Sequence, residues 1–140
     1  MKRHKPGVSM DDNISRASML LGKAKGDFHA ACCLAKNTES SPWTVGFHAQ
    51  QTVEKALKSV LQLAGIGYPF SHDLEILLKI VEQANISEPP HSTNLPYLTP
   101  FASWQRYESN NESEEPPLGI EKILEWSQST LNWAIAIVER

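Results

Sequence analysis

Two polar side chains interrupt an apolar helical stripe, and they are the residues best placed by type and spacing to do chemistry. Gln50 and Glu54 stand four apart in the stretch Gly46 to Gly65, GFHAQQTVEKALKSVLQLAG. At about 100° per residue, Ala49, Val53, Leu57, Val60, Leu61 and Ala64 share one arc, and Gln50 and Glu54 lie within or beside it. A carboxylate taken out of water is costly unless it is paired. Glu54 is therefore expected to meet a cation or hydrogen-bond donor supplied by another part of the fold. Lys55, Lys58 and Gln62 fall on the opposite side of the same helix and read as solvated.

The other chemically able residues do not assemble on paper. His29, His48 and His72 fall on three different elements, with His48 at a polar helix edge and His72 as a structural or solvated residue. Cys32 and Cys33 are adjacent, so their side chains point about 100° apart on a helix. That is poor spacing for a zinc site and no disulfide framework; the pair reads as two small buried side chains in a reducing cytosol. There is no glycine-rich phosphate loop, no HExxH and no nucleophile elbow. The residues imply no metal and no cofactor.

The elements that must position these residues are helical. Ile14, Ala17, Leu21, Ala24, Phe28 and Ala31 space a first helix from about Asp12 or Asn13 to Asn37, with Lys23 and Asp27 as an ordinary surface pair. TESSP, residues 38 to 42, is a turn. The second helix starts near Trp43 and is closed by Gly65, Gly67 and Pro69. Ser71 is the expected cap of a third helix carrying Leu74, Leu77, Leu78 and Val81, which ends at Asn85. A proline-rich loop, 88 to 96, leads to a short aromatic helix or turn, Tyr97 to Tyr107. The polar run SNNESEEPP, 109 to 117, reads as a flexible surface loop. A last helix runs from Leu118 to the C-terminus. It has two apolar stripes, the second formed by Trp126, Thr130, Trp133 and Ile137, and so needs more than one neighbour.

No period-2 alternation competes with this pattern. The fold class is all-α, an antiparallel four-to-five-helix up-and-down bundle in one domain, residues 12–140, behind a basic tail, residues 1–11. The 140 residues are 41% hydrophobic and 21% charged, ordinary globular values. A net charge of −3 lacks the basic excess of a dedicated nucleic-acid-binding surface. No secretory signal or membrane-spanning run is evident, which points to the cytoplasm.

The run Phe47-His48-Ala49-Gln50-Gln51-Thr52-Val53-Glu54-Lys55-Ala56-Leu57-Lys58 resembles the signature helix of HEPN domains. Asp27, Ser71-His72-Asp73-Leu74 and Arg106-Tyr107 are similar to further landmarks of that family. Bundles of this kind place polar groups in the seam between helices, here Asp27, Gln50, Glu54 and Arg106. Tyr107 beside Arg106 completes the set of candidate ligand-binding or partner-binding residues. Arg106 is the cation that the resemblance places to meet Glu54 or Asp27.

Many HEPN domains are metal-independent ribonucleases, with a histidine four to six residues beyond an arginine. Arginine there stabilises phosphate charge, and histidine moves the proton of a ribose 2′-hydroxyl. Here Arg106 is followed by YESNNESEE, without a histidine. The Arg-Tyr pair instead resembles the HEPN branch found beside minimal nucleotidyltransferases. That resemblance implies a non-catalytic module with no catalytic residues of its own. It would form a homodimer through the last helix or the adjoining face of the second. It would bind a nucleotide, an RNA or a partner minimal nucleotidyltransferase in a toxin–antitoxin-like system. The alternative is a ribonuclease or toxin with an atypical site lacking the usual histidine.

Overall fold

The computed structural model describes residues 9–106, 116 and 118–140, the side chains of 104–106 excepted. Four α-helices form the framework: α1 (Met10–Ala35), α2 (Pro42–Leu63), α3 (Leu74–Gln83) and α4 (Ile120–Val138). A 3-10 segment, Leu95–Arg106, lies between α3 and α4. No strand occurs among the described residues, so the fold is an all-α bundle.

Capping sets the boundaries. Ser9 opens α1 by accepting from the Asp12 amide at 3.0 Å, so the helix begins slightly ahead of the expected Asp12 or Asn13. Ser41 caps α2 through the Trp43 amide, with Pro42 in the first turn. At the other end of α2, Gly65 adopts φ 72°. The Ile66 amide then returns to the Leu61 carbonyl and the Gly65 amide to the Gln62 carbonyl, which satisfies the last free carbonyls of the helix. Asn85, at φ 59°, ends α3 in the same way. The start of α3 differs from expectation. Asp73 is its cap and holds the Glu75 amide, while Ser71 supports Asp73 from one turn earlier.

The short connection 36–41 folds α2 back along α1, and α2 touches every other element. Its inward face fills two clusters. Leu57 and Leu61 meet α3, the 3-10 segment and α4 through Leu77, Leu98, Phe101 and Ile123. Ala56 and Val60 meet Leu21 of α1 and Leu131 of α4. Gly46 is where Phe101 enters: a methyl on Gly46 would overlap that ring, which packs against Trp43 with centroids 5.2 Å apart. Ile14, expected in the inward stripe of α1, is exposed, and the neighbouring Asn13 is buried in its place.

The second stripe of α4 is covered within the chain. Trp126 is buried in the larger cluster, with the His91 ring 6.3 Å away. Trp133 is half-buried and donates from Nε1 to the Ser87 carbonyl at 3.0 Å. α1 and α2 both pack on α4, and the proline-containing connection after α3 adds contacts to its two tryptophans. The polar run 109–117, except Pro116, and Tyr107 lie outside the described residues.

Leu57 is fully buried, so Leu57→Ala is expected to cost about 2–5 kcal/mol in chemical denaturation. Gly46→Ala is expected to lose about 1–3 kcal/mol by overpacking. Adding Phe101→Leu should recover part of that loss, whereas full additivity would show that the two residues do not meet.

Candidate functional site

Glu54 sits at the middle of α2 with 3% of its surface exposed. Its Oε2 accepts from the Lys58 ammonium at 2.9 Å. Its Oε1 accepts from Gln50 Nε2 at 3.1 Å and, more weakly, from Gln51 Nε2 at 3.4 Å. His72 Nδ1 lies 2.8 Å from the same Oε1. Gln50, itself fully buried, also donates to the His72 carbonyl at 3.2 Å and accepts from Gln51 at 2.7 Å. No buried side-chain nitrogen or oxygen among the described residues lacks a partner.

The electrostatics follow from this arrangement. Burial alone pushes the Glu54 carboxyl up, but the hydrogen bonds from Lys58, His72 and Gln50 and the Lys58 charge outweigh it. The net result is a pKa below the ordinary 4.5. An ionised carboxylate only accepts hydrogen bonds, so His72 Nδ1 carries the proton and donates. The imidazole Nε2 is then left facing outward, on a side chain that is 54% exposed. It is a free base when the ring is neutral and a second donor when the ring is protonated.

Asp27 forms a separate knot one helix away. Lys55 donates to its Oδ2 at 2.6 Å, and His48 Nδ1 lies 3.1 Å from its Oδ1. These bonds tie α1 to α2. They replace the surface pair expected between Lys23 and Asp27 and the solvated state expected of His48. Asp27 and Glu54 do not bond to each other; the neighbours Lys55 and Glu54 on α2 link the two knots only through the backbone.

Among the candidate residues, the structure thus joins Gln50 to Glu54 and holds Asp27 in a separate knot with His48 and Lys55. The Arg106 side chain and Tyr107 lie outside the described residues. Glu54 has the cation and the hydrogen-bond donors its burial demands, and those described are Lys58, Gln50, Gln51 and His72. Lys58 was read as solvated, yet its side chain is only 12% exposed. The Glu54-to-Lys58 spacing of four was the available signal. His72 carried none, because its partner is 18 positions away. Gln62, also read as solvated, is buried and donates to Asn13 at 2.9 Å, while its carbonyl accepts from Tyr68. The cysteines are not both buried: Cys33 is exposed with Sγ 3.5 Å from His29 Nε2, and Cys32 is half-buried. No group of three metal-ligating side chains gathers among the described residues. None of the described helices is long and apolar enough to cross a membrane.

Because its folded pKa is lowered, ionised Glu54 stabilises the fold at pH above about 4.5, and this contribution is lost as pH falls through the lower folded value. Stability measured against pH should therefore fall less steeply in Glu54→Gln than in the wild type below about pH 4.5. Lys58→Ala is expected to cost about 1.5–3 kcal/mol, as a charge-assisted bond to a buried group does. The Glu54→Ala, Lys58→Ala double variant should lose less than the sum of the two single variants; additive losses would show that the pair contributes nothing.

No curated protein and no solved structure matches the chain. The HEPN domain family model matches residues 17–138, a span that takes in α1 from Ala17 onward, the other three helices, both knots and the 3-10 segment. The chain belongs to the HEPN domain family.

Proposed function

We propose that the chain is a non-catalytic HEPN module that dimerises in the cytoplasm and binds a nucleotide or a partner minimal nucleotidyltransferase, as in a toxin–antitoxin-like system. One observation carries the reading: Asp27 of α1 and Glu54 of α2 are each paired with one lysine and one histidine of the same chain. An approaching anion therefore meets paired acids rather than bare negative charge, with the exposed His72 imidazole beside one of them. Asp27, Gln50 and Glu54 act in this reading as the frame, and Arg106 and Tyr107 as groups that reach the ligand or partner. The absence of a histidine four to six residues after Arg106 favours binding over cleavage. The dimer rests on family likeness, since the tryptophans of α4 are covered within the chain.

Calorimetric titration with nucleotides and with a minimal nucleotidyltransferase tests the proposal. Wild type should bind at least one of them, and Arg106→Ala should bind it more weakly. Silence towards both would overturn it. Light scattering should report twice the chain mass at micromolar concentration, and a monomer would remove the dimer.

The ribonuclease alternative also has an observation behind it. An imidazole held by a buried carboxylate, with Nε2 free, is the form in which histidine serves as a general base towards a 2′-hydroxyl. Incubating RNA with wild type and with His72→Gln decides between the readings. Cleavage by wild type that His72→Gln abolishes establishes the enzyme, and intact RNA in both favours the binding module.

A further inference from the structure

Phe70 stands on the turn between α2 and α3 with 99% of its surface exposed. The ring is nevertheless part of a cluster. The Lys58 ammonium lies 5.8 Å from the Phe70 centroid and 5.8 Å from that of Tyr68. The His72 ring is 6.2 Å from Phe70, tilted by 60°. Glu54 uses one of the three Lys58 donors and His72 Nδ1. That leaves His72 Nε2 on a side chain 54% exposed and the remaining Lys58 N–H groups on one only 12% exposed, with the carboxylate charge kept inside the helix packing. An open aromatic face thus adjoins two groups able to hold an anion.

The geometry points to this rim as the binding site for a nucleotide unit, free or within single-stranded RNA. The base stacks on the open face of Phe70, and the phosphate accepts from Lys58 and His72. This inference rests on the nucleotide half of the function proposed above. A nucleotide carries a flat ring and an anion in one molecule, which matches the pairing of Phe70 with Lys58 and His72. Exposed aromatic rings beside cations are how single strands are held without sequence preference.

Binding of AMP, adenosine and ribose 5-phosphate by calorimetry, and of a labelled single-stranded oligoadenylate by anisotropy, tests the site. The proteins are wild type, Phe70→Ala, Phe70→Trp and His72→Gln. Phe70→Ala removes a ring outside the core, so its melting curve should match the wild type. AMP should bind more tightly than adenosine or ribose 5-phosphate, because each of these lacks half of the recognition. Phe70→Ala should weaken AMP and the oligonucleotide about five-fold or more, Phe70→Trp should retain binding, and His72→Gln should weaken AMP but not adenosine. An oligonucleotide tighter than AMP supports the RNA source, and equal affinities support the free nucleotide. Equal AMP and oligonucleotide affinities for wild type and Phe70→Ala would overturn the site while leaving nucleotide binding intact. If wild type binds a nucleotidyltransferase but no nucleotide, the site falls and the module reading stands. Loss of that protein in Phe70→Ala would then reassign Phe70 as a protein anchor. Silence towards every ligand overturns both.

Discussion

A single carboxylate buried in the middle of α2 sets the geometry of much of the fold. Removing an ion from water is costly unless donors replace the water, and losing one partner of such a pair strands the other. Glu54 is supplied by Lys58, Gln50 and Gln51 of its own helix and by His72 from the following turn. His72 is gripped twice, through its ring by Glu54 and through its carbonyl by Gln50. The turn 71–73 is therefore fixed, and with it the Asp73 cap that starts α3. The Leu74 amide then bonds to Thr99 in the 3-10 segment, which places Phe101 against Gly46 at the start of α2. The path begins and ends on the same helix.

Local chemistry in the sequence was enough to find the helices. The apolar stripe of α2, the glycine that ends it and the asparagine that ends α3 each act within a few residues of themselves. Burial of Glu54 was also readable, because its place on the wheel conflicts with its charge. The identity of its partners was only half readable. Lys58 points away on a helical wheel, but its four-carbon stem lets the ammonium reach back to a residue one turn earlier. His72 arrives by tertiary folding. Gln62 shows the same gap: α1 extends far enough for Asn13 to meet it, and no wheel of α2 alone contains that fact. The double stripe of α4 was read correctly as needing more than one neighbour: α1 and α2 both pack on it, and the connection after α3, whose prolines gave no periodic signal, adds Ser87 and His91 against its tryptophans.

These features separate the interior role of the polar cluster from what the molecule presents outside. The carboxylates of Asp27 and Glu54 are used up in holding α1, α2 and the turn before α3. The groups left exposed beside them are the His72 imidazole and the ring of Phe70. HEPN membership accounts for the framework, and the outward set is where this chain's recognition is proposed to lie.

An ionised Glu54 fixes the His72 ring with the proton on Nδ1. Nitrogen-15 NMR of the imidazole at a pH where His72 is neutral reads this directly. Wild type is expected to show a protonated, slowly exchanging Nδ1 and an unprotonated Nε2, with that preference lost in Glu54→Ala. A neutral ring with its proton on Nε2 in the wild type, unchanged by Glu54→Ala, would contradict it.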